Sequence, residues 1–166
     1  MKPMTPVDLT FLDSAPLRLQ VSHHLRASPE RVFAALAPPA SWLEWFPLMR
    51  AAEWLPGPVE CVGARRRVRL TVFGGFDEVF LAWEVPAGGN PGRYTFAMTA
   101  STSPLASAMA EDYRVLADGS GTRIDWTLAA TLTPLGKVGR PALVGVMRGL
   151  FGRALRNLDA HLDPRT

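Results

Sequence analysis

Between Arg50 and Pro134 the sequence has no helical spacing of apolar residues, and glycine- and proline-rich turns divide it into strand-length segments. The turns are Pro-Gly-Pro at 56–58, Gly-Gly at 74–75, Gly-Gly-Asn-Pro-Gly at 88–92 and Asp-Gly-Ser-Gly at 118–121. Short strands joined by such turns are typical of an antiparallel meander. This half of the chain therefore predicts a sheet in which consecutive strands are hydrogen-bonded neighbours.

Six strands fit between these turns, and a seventh precedes them. The predicted spans are 17–25, 50–55, 64–72, 77–85, 93–101, 108–117 and 122–132. Strict alternation assigns an inner face to three of them: Ile124, Trp126, Leu128 and Ala130; Tyr94, Phe96, Met98 and Ala100; and Val79, Leu81, Trp83 and Val85. Period-two alternation is the mark of a half-buried strand. Seven such strands predict a curved antiparallel sheet with one solvent-exposed face.

Helical signals lie on both sides of the meander. Ser28 followed by Pro29 predicts the N-cap and first position of a short helix, and Ser41 can begin another that Pro47 ends. After Pro141 an apolar stripe predicts a long helix packed on the inner face of the sheet, made of Leu143, Met147, Leu150, Phe151, Ala154, Leu158 and Leu162. Glycines at 145, 149 and 152 weaken this helix, so we expect either a close approach to the sheet or room left for a ligand.

The length and composition fit one domain. The chain has 166 residues, of which 48% are hydrophobic, enough for a core that also encloses a cavity. We expect an extended N-terminal arm at 1–16 and a single domain at 17–163. The arm lacks the apolar run of a secretory signal, no apolar stretch reaches the roughly 20 residues of a membrane span, and Cys61 has no partner for a disulfide. These features predict a cytoplasmic protein without a transmembrane segment.

The charge balance is weakly basic, with a net charge of +3. The densest cluster, Arg65, Arg66 and Arg67, falls within an alternating strand, so its side chains point to both faces. A solvated strand edge or a site for phosphate or carboxylate explains such a cluster. With no zinc finger or basic helix in the sequence, we expect no nucleic-acid partner.

Local motifs in this order resemble a known family. They are Ala27-Ser28-Pro29-Glu30-Arg31-Val32-Phe33, then Trp42, Trp45 and Pro47, Gly63-Ala64-Arg65, Glu78-Val79, Trp83-Glu84-Val85-Pro86, Tyr94 with Phe96, and Gly121-Thr122-Arg123 with Trp126. Over roughly residues 17–162 the chain is similar to the START and Bet v 1-like superfamily, also called SRPBCC, and within it to the polyketide cyclase/dehydrase and lipid-transport group. The resemblance implies an α+β helix-grip fold: a seven-stranded curved antiparallel sheet around a long C-terminal helix, with two short helices after the first strand.

The resemblance also implies a deep, mainly apolar cavity between the sheet and the long helix, used by different members for lipids, sterols, polyketides or plant hormones, or for no known ligand. It carries over no catalytic residue. We therefore expect this chain to bind a hydrophobic small molecule, lipid-like or polyketide-like. The alternatives are a cyclase, aromatase or dehydratase that uses the same cavity, and an interaction or regulatory module with a filled core and no cavity.

Face assignment and residue chemistry select candidates for this cavity. The candidate ligand-binding residues are Trp42, Trp45, Arg66, Trp83, Tyr94, Met98, Glu111, Tyr113, Trp126, Met147 and Phe151. Glu111 shares the inner face with Met109 and Tyr113, where burial raises a carboxyl pKa and allows general acid or base work. The alternative is a strand that slips, bulges or ends near Glu111 and leaves this carboxylate exposed. Glu111 and Tyr113 are accordingly the candidate catalytic groups.

Arg66 shares its face with Val68, Leu70 and Val72, so it can pair with Glu111, hold a ligand carboxylate, or lie at the exposed end of its strand. Trp42 and Trp45 share one face of a short helix, as a lid over the cavity or as ordinary packing. The sequence has no nucleophile elbow, phosphate-binding loop, dinucleotide fingerprint or metal-ligand spacing, so we expect no cofactor and no metal. It carries no signal for the oligomeric state.

Overall fold

The chain folds into one curved sheet that wraps a long helix. The computed structural model describes residues 1–163. In chain order the elements are β1 Lys2–Pro3, α1 Phe11–Ser14, β2 Leu17–Leu25, α2 Pro29–Leu36, a 3-10 turn Pro39–Ser41, α3 Trp42–Trp45, β3 Met49–Trp54, β4 Arg65–Leu70, β5 Gly74–Glu84, β6 Gly92–Ser101, β7 Ala106–Asp118, β8 Gly121–Leu132, α4 Pro134–Val138 and α5 Arg140–His161.

The sheet has the strand order β2-β8-β7-β6-β5-β4-β3, and every neighbouring pair is antiparallel. The C-terminal half of α5 buries Phe151, Ala154, Leu155 and Leu158 in the main core. The predicted α+β helix-grip fold is confirmed. The structure adds an eighth strand, the two-residue β1, which pairs with β6 opposite Ala100 and Ser101.

The predicted start of α2 is also confirmed. Ser28 adopts an extended conformation, and its side chain accepts a hydrogen bond from the backbone nitrogen of Arg31. Pro29 occupies the first helical position, where its missing N–H has no partner to lose. The helix buries Val32, Phe33, Ala35 and Leu36 against the core, which sets the position of the turn and α3 that follow.

Two β-bulges change which residues face the core. The pairing of β5 with β6 shifts between Phe80 and Ala82, so Phe80 and Trp83 both face inward. Val79 and Leu81, predicted to be inside with Trp83, instead pack on the opposite face of the sheet, and Val85 is exposed. A second shift opposite Asp77 and Glu78 brings Ser101 to the inner face in place of the predicted Ala100. Each bulge inserts one residue, which reverses the alternation beyond it.

Residues 7–15 of the N-terminal arm pack on the convex face of the sheet, whereas Met4, directly after β1, packs in the main core and borders the inner cavity. The one-turn α1 lies within the arm that we expected to be extended throughout. Leu12 of α1 covers Ala97, Ala110 and Ala129, and Val79 and Leu81 join the same small cluster. The alanines leave the space that Leu12 fills, so both faces of the central strands are buried.

The N-terminal half of α5 is loosely packed. Leu143, Val144, Met147 and Leu150 are half-buried, and full burial begins at Phe151. Gly145 and Gly149 are exposed, and a Cβ added at either would meet no atom within 4 Å. These two glycines therefore neither let the helix approach the sheet closely nor leave space for a ligand. Among the described residues, no helix is long and apolar enough to cross a membrane.

Candidate functional site: an apolar cavity with a charged end

A cavity of about 100 Å³ lies between the concave face of the sheet and the N-terminal half of α5. Side chains from α3, from strands β2 to β8 and from α5 line it. The wall is mainly aliphatic and aromatic, and its polar side chains among the described residues are Arg66, Glu78, Ser101, Ser103 and Glu111. Such a wall, with a few polar groups, is the usual composition of a small-molecule site.

The cavity is smaller than the roughly 300–1,000 Å³ typical of pockets for drug-sized ligands. Four half-buried residues of α5 form one side of it, namely Leu143, Val144, Met147 and Leu150. This part of the helix has no fully buried residue, so it is held less tightly against the sheet than the half that begins at Phe151.

The charged end is built around Arg66. Its Nε donates to Oε2 of Glu78 at 2.6 Å, and its Nη1 donates to the hydroxyl of Tyr94 at 2.9 Å. The guanidinium carbon lies 4.4 Å from the centre of the Trp42 ring, a cation–π contact. The remaining nitrogen, Nη2, is buried and has no hydrogen-bond partner among the described residues. One strong donor is therefore left unused beside the cavity.

The side chain of Arg66 is fully buried, and its charge persists there. Burial lowers the pKa of the guanidinium, but the attraction of Glu78 outweighs this and keeps the pKa above its ordinary value. For Glu78 the balance is reversed, because burial raises the pKa of the carboxyl and Arg66 only partly opposes the rise. The sequence left open a pairing of Arg66 with Glu111; that pairing is wrong, and the partner is Glu78.

Glu111 lies on β7 and borders the same cavity. Its Oε2 accepts hydrogen bonds from the hydroxyl of Tyr113 at 2.9 Å and from Nε1 of Trp126 at 3.0 Å. Burial, reinforced by the negative charge of Glu78, raises the pKa of Glu111 to about 7, although both hydrogen bonds oppose the rise. Near neutral pH this carboxyl can therefore either donate or accept a proton at the cavity wall.

Tyr94 and Tyr113 are hydrogen-bonded to Arg66 and Glu111, respectively, from the side away from the cavity. Burial raises the pKa of Tyr94 and of Tyr113 above the ordinary range, so both hydroxyls stay protonated. Tyr94 accepts from Arg66, Tyr113 donates to Glu111, and neither borders the cavity. Trp126 also lies behind the wall, stacked on Phe151 with ring centres 3.7 Å apart.

The structure divides the predicted ligand-binding residues into two groups. Those that border the cavity are Trp42, Arg66, Met98, Glu111, Met147 and Phe151. Those that lie in the layer behind it are Trp45, Trp83, Tyr94, Tyr113 and Trp126. Four members of the second group contact residues of the first and so help to set their positions: Trp45, Tyr94, Tyr113 and Trp126. Trp83 is half-buried, and its ring contacts are with Phe33, Trp54, Phe80 and Tyr94.

Trp42 and Trp45 are both almost fully buried, so they belong to the core and not to an exposed lid. The indole nitrogen of Trp42 donates to the carbonyl of Leu36 at 2.8 Å, which holds the ring over Arg66. The carbonyl of Trp45 accepts from Nδ2 of Asn157 at 3.0 Å, which joins α3 to α5.

Sequence reasoning missed Glu78 as a site residue, although a signal for it was present. In the β4–β5 hairpin, Arg66 lies opposite Glu78 and Arg67 lies opposite Asp77. Within each pair the two residues are equally far in sequence from the turn at 71–73, so each arginine faces a carboxylate across the hairpin. Such matching predicts a register, and the inner face of Arg66 then places Glu78 beside it.

Comparisons with known proteins agree with this architecture. A sequence profile of the family described as "Polyketide cyclase / dehydrase and lipid transport" matches residues 16–163. An uncharacterized protein of Mycobacterium tuberculosis (strain H37Rv) is 33% identical over 171 residues, covering 99% of this chain and 96% of that protein.

Two solved structures share the fold at low sequence identity. An aromatase/cyclase from Streptomyces sp. R1128 superimposes with a TM-score of 0.70 at 16% identity, over 90% of this chain and 94% of that one. Protein XoxI from Bacillus cereus superimposes with a TM-score of 0.69 at 16% identity, over 90% and 98%.

Proposed function

This chain belongs to the polyketide cyclase/dehydrase and lipid-transport family of the START–Bet v 1-like superfamily, and on that premise we propose that it binds a hydrophobic small molecule, lipid-like or polyketide-like. The ligand occupies the cavity between the sheet and α5. The observation that carries the proposal is an apolar cavity whose charged end combines Arg66, Glu78 and Glu111. Burial of apolar ligand surface supplies the affinity, at about 25 cal/mol per Å².

The charged end orients the ligand. The unpaired Nη2 of Arg66 can donate to a carbonyl, hydroxyl or carboxylate oxygen once a ligand displaces the wall. Protonated Glu111 can donate a second hydrogen bond to a ligand oxygen. We therefore propose a ligand with an apolar body and an oxygen-bearing end.

Native mass spectrometry of freshly purified protein, compared with the denatured mass, tests the proposal directly. We expect a discrete adduct that solvent extraction releases as an apolar molecule. Ala130→Leu fills space at the cavity wall and should reduce the adduct while the protein remains folded. A clean mass for the free protein, with no gain in melting temperature from fatty acids, sterols or aromatic polyketides, would favour an interaction module.

Glu111 supports a second candidate function, an enzyme of the cyclase, aromatase or dehydratase kind. Its carboxyl borders the cavity with a pKa of about 7, suited to moving protons on a bound polyketide. Once a ligand is identified, Glu111→Gln should abolish turnover and leave binding largely intact. Unchanged turnover in Glu111→Gln would remove this residue from any reaction.

A further inference from the structure

The cavity opens at one end of the molecule, where its lining residues Leu70, Phe73, Ser103 and Leu105 are partly exposed. The antiparallel registers bring six strand termini to the same end of the sheet. They are the start of β3, the end of β4, the start of β5, the end of β6, the start of β7 and the end of β8. The paired residues there are Met49 with Leu70, Leu70 with Gly74, Phe76 with Ser101, and Ala106 with Leu132. We call this end, made of residues 1–4, 46–50, 69–76, 101–106 and 132–150, the cavity mouth.

Large apolar side chains are exposed around the cavity mouth. Six of the ten exposed large hydrophobic residues among those described lie there: Met1, Leu48, Val72, Leu135, Val138 and Val146. Val138 is 86% exposed and Val72 is 67% exposed. They come from four separate segments of the chain, so their grouping is a product of the fold. Clustered exposed apolar residues mark an interaction surface.

Leu48 shows that this exposure is built into the backbone. It has a φ of 71°, in the left-handed region that a leucine seldom adopts. The backbone nitrogen of Thr71 donates to its carbonyl at 2.9 Å, which holds the loop against the β4–β5 turn. An apolar side chain is thus kept in solvent at the rim, although its conformation is unfavourable.

The same end is purely cationic. The sequence has no Asp or Glu in 1–7, 46–52, 68–76, 98–110 or 128–158, although the whole chain has 15 acidic residues. Six exposed cations lie in these segments at the mouth: Lys2, Arg50, Arg69, Lys137, Arg140 and Arg148. Since the whole chain carries only +3, the rest of the molecule is net negative. The charge asymmetry therefore coincides with the apolar patch.

From this coincidence we infer that the cavity mouth docks on a membrane surface that contains anionic phospholipids. The exposed aliphatic side chains enter the bilayer interface, and the cations lie against lipid phosphates. The inference goes beyond the proposed function, since docking does not require a bound ligand. Where the proposed function also holds, an apolar ligand moves between bilayer and cavity without crossing water.

Aliphatic residues among the cations favour a lipid surface over a nucleic acid. A nucleic-acid site combines cations with aromatic platforms or polar donors that contact bases. The exposed large apolar side chains at this mouth are valine, leucine and methionine, which contribute nothing to either contact. The N-terminal half of α5, which closes the cavity, lies within the same surface and would face the bilayer.

Vesicle flotation of the full-length protein tests the inference. We expect flotation with phosphatidylcholine vesicles that contain phosphatidylglycerol, little with phosphatidylcholine alone, and weaker binding at high salt. Val72→Asp and Val138→Asp should each lower partitioning about tenfold. The double variant Lys137→Glu/Arg140→Glu should lower it about tenfold or more.

Control variants at the opposite end of the strands separate membrane docking from unspecific effects of an added negative charge. Val85, 61% exposed, lies beyond the other end of β5, so Val85→Asp should bind vesicles as the wild type does. Arg65 is the first residue of β4 and lies at the same far end of the sheet, so Arg65→Glu should also leave vesicle binding unchanged. Circular dichroism confirms that each variant is folded.

Three results would overturn the inference: no flotation with anionic vesicles at low salt, equal loss in Val72→Asp and Val85→Asp, or oligonucleotide binding that only the charge variants reduce. The adduct measured by mass spectrometry is a separate readout. Loss of flotation with a retained adduct rejects docking alone. Flotation with no adduct rejects the proposed ligand and leaves docking in place.

Discussion

The indole nitrogen of Trp126 donates a hydrogen bond to Oε2 of Glu111 at 3.0 Å, while the face of the same ring stacks on Phe151 of α5. One residue thereby connects the titratable group of the cavity wall to the helix that closes the cavity. A change in the charge of Glu111 or in the position of α5 alters the environment of this tryptophan.

Stability should fall as the pH rises through the titration of Glu111. The pKa of this carboxyl is about 7 in the folded protein, against an ordinary value of 4.5, so the folded state holds a proton that the unfolded state has released. The stabilising contribution is complete below about pH 4.5 and is lost by about pH 7, a difference of about 3 kcal/mol. Urea unfolding at several pH values measures this change in the free energy of unfolding.

Glu111→Gln is the control for this pH dependence. The amide does not titrate, so the difference in unfolding free energy between variant and wild type should grow from pH 5 to pH 8 in favour of the variant. A constant difference over this range would show that Glu111 has an ordinary pKa.

Removal of one partner of the buried ion pair should be strongly destabilising. Arg66→Met leaves Glu78 buried without its cation, and we expect a loss of about 3–5 kcal/mol in the free energy of unfolding. The double variant Arg66→Met/Glu78→Leu removes both charges and should recover much of this loss. Guanidinium unfolding compares them, and a double variant no more stable than Arg66→Met would contradict the account.

Two glycines of α5 should be replaceable with a gain in stability. At Gly145 and Gly149 an added Cβ meets no atom, so each change to alanine should stabilise by about 0.5–1 kcal/mol. Gly136→Ala is the matched contrast, because its Cβ would lie 2.1 Å from the carbonyl oxygen of Leu105 and should destabilise the protein. Thermal unfolding distinguishes the two outcomes.

The small cluster on the convex face should depend on Leu12. Its side chain is 5% exposed and covers Ala97, Ala110 and Ala129, so Leu12→Ala should cost about 2–4 kcal/mol. Leu9, which only partly packs on the cluster, should tolerate alanine with a smaller loss. Equal effects of the two changes in urea unfolding would show that the arm does not dock through Leu12.

Alternation and turn signals predicted the seven long strands, the cap at Ser28 and, as one of two alternatives, the inward position of Glu111. They failed where the backbone departs from regular pairing. The bulges in β5 and β6 reverse the alternation, so Val79, Leu81 and Ala100 were assigned to the wrong face. A bulge depends on pairing between strands, and a single strand's pattern does not contain it.

The sequence by itself determined the order of the seven long strands and of α2, α3 and α5, their boundaries to within a few residues, and the apolar and charged residue types available for a site. Only the tertiary structure decided that Arg66 pairs with Glu78, that Trp126 contacts Glu111, and that six exposed apolar residues and six cations lie at the same end of the sheet. Local patterns arise from the period of a single element. Partners and surface patches arise from strand register and the packing of α5, which bring together residues far apart in the chain.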